Sequence, residues 1–265
     1  MPTKAASSGK DAPESKYRAP ALEKGLDILE LMARHSHPIK ASQMAETLGR
    51  SLSELFRMIQ VLEYRGFIGL SDNKEGYVLT NKLFTLGMSQ PPIQSLVQAA
   101  LPVMNELALK TSQSCHLVVA SDDQIVVIAR VESTSDIGFA VRLGYRRGVR
   151  DTTSGPVLFA FQPENRKAEW LERLEKSEGK RPIAKFVEMA EEIAGRGYAK
   201  AHSDFIEGVT DLTAPIMGKS GAEATITIPY VYYRPVICPI NVAAEHLIAA
   251  AHQISAGYQG TMPIA

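Results

Sequence analysis

Ser51-Leu52-Ser53-Glu54-Leu55-Phe56-Arg57-Met58-Ile59-Gln60-Val61-Leu62-Glu63-Tyr64-Arg65-Gly66 carries a helix start, an apolar stripe and a stop in one run. Ser51 to Glu54 has the S-x-x-E form of a capping box, in which each side chain satisfies the other's backbone N–H. Leu55, Met58, Ile59 and Leu62 recur at i, i+3, i+4 and i+7, so one face is apolar. The opposite face presents Ser53, Phe56, Arg57, Gln60 and Tyr64, and Gly66 suits the residue after the last turn. A helix anchored on one side, with a guanidinium and an amide on the other, has the chemistry to reach base edges or phosphates in a groove.

The flanking segments agree. Upstream, Ser42 to Leu48 reads as a short helix with Met44, Ala45 and Leu48 facing in and Gly49 as its stop. Before it, Pro20 to Arg34 repeats Leu22, Leu26, Leu29 and Leu31 or Met32 at helical spacing, with Glu23, Lys24, Asp27 and Glu30 on the other side. Pro20 suits a first helical position, and Pro38 marks the exit. Downstream, Phe67–Leu70 and Tyr77–Leu79 read as two strands joined by the polar turn Ser71–Gly76, a wing with Lys74 near its tip. Residues 20–80 therefore predict a winged helix-turn-helix that binds double-stranded operator DNA. The candidate contacts are Ser42, Ser51, Ser53, Glu54, Phe56, Arg57, Gln60 and Lys74. Glu54 has two readings: a cap for its own helix, or an acceptor for cytosine N4. A small helical domain that only packs on a partner is the plainer alternative for the segment.

Charge limits how such a domain binds. Residues 1–90 hold 12 Lys and Arg against 10 Asp and Glu, a net of +2, and the whole chain is neutral with 29 of each sign. Affinity then leans on dimerisation and a few placed cations, not on a broad basic face.

A length of 265 residues suits two modest domains. Residues 1–19 are polar and rich in Ser, Lys, Ala and Pro without an apolar run, which predicts a disordered tail rather than a signal peptide. No run of 18 apolar residues predicts a membrane span. Two cysteines, Cys115 and Cys238, do not make a disulfide framework, and a cytoplasmic protein fits. Residues 81–92 read as a linker helix, Lys82 to Met88, stopping before Pro91-Pro92. Residues 93–260 read as the second domain, opening with an amphipathic helix over Ile93–Thr111. Strands are expected at His116–Ala120, Gln124–Val131 and Ile137–Leu143, and helices at Gly155–Phe161, Glu164–Leu174 and Ala184–Arg196. Further strands are expected near Tyr198–Ala201, Thr210–Met217 and Ala224–Tyr233, before a last helix at Val242–Ile254. Strands interrupted by a block of helices predict an α+β, GAF-like sensor domain.

No catalytic constellation stands out. Cys115 and His116 are adjacent, and neighbours in a strand point to opposite faces, so they do not pair as nucleophile and base. His116 is a candidate cavity residue, with a core histidine as the alternative. Gly218-Lys219-Ser220 has Thr213 where a phosphate loop needs its first glycine, and reads as a turn. His35 and His37 lack further ligands at metal spacing. Nothing implies a metal or a cofactor.

The chain resembles the IclR-type family of bacterial transcription regulators over nearly its whole length. Ala21-Leu22-Glu23-Lys24-Gly25-Leu26-Asp27-Ile28-Leu29 is similar to the family's opening helix. Phe56 to Ile59 and Leu62 to Ile68 are similar to its recognition helix and first wing strand. Val141-Arg142-Leu143-Gly144, Asp151-Thr152-Thr153-Ser154-Gly155 to Ala160, and Gly195–Ala199 with Gly208–Ile216 resemble the effector-domain signatures. Glu54, Pro156 and Asp211 depart from that pattern, where a small hydroxyl residue, Lys, and Cys or Ser respectively are usual. The resemblance implies a small organic acid between the sheet and the loop that opens the first helix after Gly144. The backbone of Thr153 and Ser154 would hold its acid group, with the Thr152 and Thr153 hydroxyls nearby. Phe139 and Val209 would form apolar walls and Thr227 would add a hydroxyl, while Arg147 and Arg150 flank the loop, either as partners for the acid or as surface charges. Asp211 would face the opposite, hydroxyl-rich end or pair with an arginine of the 147–150 loop; a solvent-facing Asp211 is the plainer alternative.

The expected protein is a ligand-responsive regulator of a catabolic operon, repressor or activator, sensing an aromatic or a hydroxylated, sugar-like acid. It would act as a homo-oligomer, a dimer or a dimer of dimers, matching two-fold operators. The rival reading is an enzyme acting on such an acid, with the winged helix as an oligomerisation module.

Overall fold

The computed structural model describes residues 19–258 except 36, 136, 137, 178 and 204. The tail expected over residues 1–19 lies almost wholly outside the described residues. The chain divides into two compact units, 1–87 and 88–265.

The described part of the first unit runs through the helices α1 (Pro20–Ala33), α2 (Ala41–Thr47) and α3 (Leu52–Tyr64), the strands β1 (Ile68–Leu70) and β2 (Tyr77–Leu79), and α4 (Lys82–Met88) at its boundary. The core is Ile28, Leu31, Met32, Ile39, Met44, Ala45, Leu55, Ile59 and Ile68. Ser51 caps α3 as its sequence predicts: Glu54 N–H donates to Ser51 Oγ at 3.3 Å, and Ser51 N–H donates to Glu54 Oε2 at 3.1 Å. Such a cap contributes about 1 kcal/mol. Gly49, at φ +62°, makes the turn between α2 and α3. Gly76 is required by a close approach, because a Cβ there would lie 2.8 Å from the backbone of Ile39, which bridges to Tyr77. The inner face of α1 differs from the expected stripe. Ile28, Leu31 and Met32 are buried, whereas Leu22 and Leu26 are 63% and 49% exposed. The buried face of α1 therefore runs through Ile28, Leu31 and Met32, and Leu22 and Leu26 lie off it.

The second unit opens with α5 (Pro91–Thr111) and is built on one antiparallel sheet. Its strands are β3 (Cys115–Ser121), β4 (Gln124–Val131), β5 (Arg146–Gly148), β6 (Ala199–His202), β7 (Val209–Gly218) and β8 (Gly221–Val231), in the spatial order β5-β4-β3-β8-β7-β6. The helices are α6 (Ser154–Ala160), α7 (Glu164–Lys176), α8 (Ile183–Arg196) and α9 (Ile240–Gly257). Strand alternation divides the core. Leu117, Val119, Leu212, Ala214, Ile226 and Ile228 pack with α5 and α9. Val118, Ile125, Val127 and Ala222 pack with α6 and α8. Both faces are covered, which is why β8 reads as a near-continuous buried run.

The strand expected over Ile137–Leu143 is not found. Ile137 lies outside the described residues, and 138–143 is irregular. The chain turns through Gly144 at φ +76°, and only then do Gly144 and Tyr145 bond to Val127, after which β5 pairs with β4. Gly218-Lys219-Ser220 is a hairpin turn between β7 and β8.

Candidate functional site

In the first unit, α3 exposes Ser53, Phe56, Arg57, Gln60 and Tyr64, the last 88% exposed. Arg57 has no ion-pair partner among the described residues, so its guanidinium is available to an outside anion. Ser42 on α2 is exposed, and Lys74, at φ +55°, is exposed at the tip of the wing. Three of the eight candidates are occupied at home. Ser51 Oγ donates to Glu54 Oε2 at 3.0 Å and lies 3.2 Å from Ser53 Oγ. Lys24 Nζ donates to Glu54 Oε1 at 3.0 Å. Both Glu54 oxygens are thus taken, which favours its capping reading over base reading. Lys24, then the Ser51 backbone and hydroxyl bonds, hold the Glu54 carboxyl down at about 2. The Arg50–Asp27 pair at 3.1 Å adds a second tie from the helix turn to α1.

The second unit contains a cavity of about 470 Å³ between the sheet and the segments that cover it on the α6 side. Seven of the ten candidates line it: His116, Phe139, Thr152, Thr153, Ser154, Asp211 and Thr227. Strand register explains the polar strip. His116 pairs with Thr227, and Thr227 with Thr213, on three neighbouring strands. Thr213 Oγ1 lies 3.0 Å from Thr227 Oγ1, which lies 3.3 Å from Ser154 Oγ. His116 is 7% exposed, and its Nδ1 is buried without a hydrogen-bond partner in the structure. Burial pushes its pKa down to about 4, so near neutral pH it is an uncharged imidazole. Cys115 faces the opposite layer, where burial pushes its thiol up to about 12; a thiol so held is no nucleophile.

The Asp151–Gly155 segment is mostly architecture. Asp151 Oδ1 accepts from Lys180 and Arg181 N–H at 2.9 and 3.1 Å. Thr152 Oγ1 accepts from Gly155 N–H at 3.1 Å. A Cβ on Gly155 would lie 1.9 Å from Val149 O, so only glycine lets α6 begin there. Thr153 Oγ1 donates to Asp211 Oδ2 at 3.1 Å. That bond corrects the expected layout: Asp211 adjoins the supposed acid anchor and does not face it across the cavity.

Three candidates lie off the cavity wall. Arg150 Nη2 donates to Ser177 O at 2.9 Å, drawn towards the α7–α8 connection. Arg147 stacks its guanidinium over Phe205, 3.9 Å from the ring centroid. Val209, one residue past the Gly208 turn, is buried but outside the lining. The wall also holds residues outside the ten candidates. Ile125 and Val127 follow from the alternation of β4, and Ala140, Val141, Arg142 and Tyr145 from the irregular segment. Ser203, Phe205 and Ile206 come from the β6–β7 connection, and Pro229 from the position cross-strand to Asp211. Arg142 had a signal, a charge within an otherwise apolar stretch next to a glycine turn. The 203–206 loop had none.

A winged helix with an outward α3, in a chain whose other unit encloses a ligand-sized cavity, defines a DNA-binding regulator. The chain matches the family model for the IclR helix-turn-helix domain over residues 21–69 and that for the bacterial transcriptional regulator IclR C-terminal region over residues 93–256. It belongs to the IclR family of bacterial transcription regulators. It is 26% identical over 225 residues to the HTH-type transcriptional regulator KdgR of Escherichia coli K12, spanning 82% of this chain and 85% of that one. The crystal structure of Pseudomonas aeruginosa HmgR superposes with TM-score 0.72 at 25% identity, covering 91% of this chain and all of that one. An IclR homolog from Microbacterium hydrocarbonoxydans, complexed with 4-hydroxybenzoate, superposes with TM-score 0.75 at 19% identity, covering 90% and 98% of the two chains.

Proposed function

We propose that this regulator binds its operator through α3 and the wing, and that a small organic acid in the cavity of the second unit changes its affinity for DNA. The observation that carries the ligand half is the cavity itself, about 470 Å³ of mostly apolar wall on which a few hydroxyls, a carboxylate and a guanidinium converge. On the DNA side Phe56, Arg57, Gln60, Lys74 and Ser42 are the proposed contacts, with Ser51, Ser53 and Glu54 shaping the helix start. The ligand residues are His116, Phe139, Thr152, Thr153, Ser154, Asp211 and Thr227.

The wall chemistry supports an aromatic or hydroxylated acid. Phe139, Tyr145 and Phe205 offer ring faces, and the row from Thr153 to Thr227 offers hydroxyls. The structural neighbour holding 4-hydroxybenzoate points the same way. The proposed target is a catabolic operon, read in the cytoplasm by a dimer or a dimer of dimers on paired half-sites. An enzyme on the same cavity has less support, because no nucleophile and base meet on its described wall. A thermal-shift screen of the full chain against aromatic and sugar acids tests the ligand half: a hit raises the melting temperature and is recovered unchanged. Turnover of the hit, or no stabilisation by either class, would overturn it.

A further inference from the structure

Charge is laid out along the cavity in strand order. Arg142 belongs to the segment that bonds to Val127 of β4 through Gly144 and Tyr145. His116 is on β3, Thr227 on β8 and Asp211 on β7. From β4 to β7 is three strand spacings, about 14 Å. Arg142 is the one Lys or Arg among the described lining residues, and Asp211 is the one acid. The middle carries no formal charge, since burial keeps His116 neutral.

We propose that the effector lies across the strands with its acid group towards Arg142 and a hydrogen-bond donor, a hydroxyl, towards Asp211 and Thr153, its ring over the His116–Thr227 row. This rests on the cavity being the ligand site. It reverses the pose in which the Thr153–Ser154 backbone holds the acid. With Asp211 Oδ2 only 3.1 Å from Thr153 Oγ1, an acid placed there would meet a second carboxylate in a partly buried site. Two carboxyl groups so close disfavour each other, whereas a hydroxyl finds a carboxyl oxygen to accept its hydrogen bond. Ile125, Val127, Phe139 and Ile206 make the walls apolar, which selects a flat, ring-like spacer over a polyol chain. The class is a hydroxylated aromatic acid with acid and hydroxyl at opposite ends.

The test is calorimetric titration of the full chain with 4-hydroxybenzoate, 4-methoxybenzoate, benzoate and methyl 4-hydroxybenzoate, on the parent, Asp211→Asn and Arg142→Gln. In the parent, 4-hydroxybenzoate binds at least tenfold tighter than the two compounds without a donor. Asp211→Asn shrinks that preference several-fold. Arg142→Gln weakens the acids about tenfold and leaves the methyl ester unchanged. Arg142 is exposed, so its substitution keeps the fold even if Asp211→Asn disturbs it. Acids that bind the parent but tighten in Asp211→Asn and ignore Arg142→Gln would reverse the orientation while leaving the cavity as the ligand site. Acids indifferent to the hydroxyl and to both substitutions would also overturn the orientation alone. No binding by any of the four would overturn the proposed ligand class, while binding by sugar acids in the wider screen would still preserve the cavity as a sensor.

Discussion

His116 ties the cavity to a measurable pH dependence. Its folded pKa of about 4 lies below the ordinary 6.5 because burial penalises the charged ring. Between those values the unfolded chain takes up a proton that the folded chain refuses. The stability conferred by a neutral His116 is therefore complete above about pH 6.5 and lost as the pH falls towards about 4. At pH 5 the linkage amounts to about 2 kcal/mol relative to pH 8. The assay is urea unfolding of the parent and His116→Gln at pH 8, 6 and 5. The other five histidines are common to both proteins, so their titration cancels in the difference. The parent should lose about 2 kcal/mol more than the variant between pH 8 and pH 5. Parallel curves would show that the folded protein admits the charged ring, and the uncharged middle assigned to the cavity would go with it.

Further outcomes follow from the same geometry. Arg57→Ala should weaken operator binding by about 1–3 kcal/mol if the arginine reads a base, with the second unit's ligand affinity unchanged, as measured by mobility shift at fixed salt. Gly155→Ala forces a Cβ into the Val149 carbonyl and should cost about 3 kcal/mol in urea unfolding, since backbone must move to admit it. Ser51→Ala should cost about 1 kcal/mol through the lost cap. Glu54→Gln should flatten a small acid-side loss: the depressed Glu54 carboxyl stabilises above pH 4.5, and that contribution fades as the pH falls towards about 2.

What could be read from the sequence was what is local. The α3 cap, its stripe and its glycine stop all lie within sixteen residues and each constrains the same helix. Helix α1 was harder: the leucine stripe read through Leu22 and Leu26 passed over Ile28, which packing buries. The cavity was half visible. Alternation set His116 apart from Cys115, and it sets Ile125 and Val127 on the same side. The Thr153–Asp211 bond joins positions 58 residues apart, and no spacing rule places them at one end of the site. Arg147 and Arg150 looked like anion partners because they flank the loop, yet each found a nearer partner, a ring and a carbonyl. Arg142 was legible only as part of the signature Val141–Gly144 and not as a site residue, because the strand expected there left its side chain no assigned face.

The most direct measurement is fluorescence anisotropy of the full chain on a duplex from the region flanking its own gene, at one salt concentration, with and without a saturating cavity ligand. A companion titration uses Ala140→Trp, which fills the cavity wall from a half-buried position. The parent should bind the duplex and change affinity at least fivefold with ligand, in either direction, while Ala140→Trp binds DNA and ignores the ligand. A parent that binds ligand by calorimetry yet holds DNA with the same affinity when saturated would contradict the account.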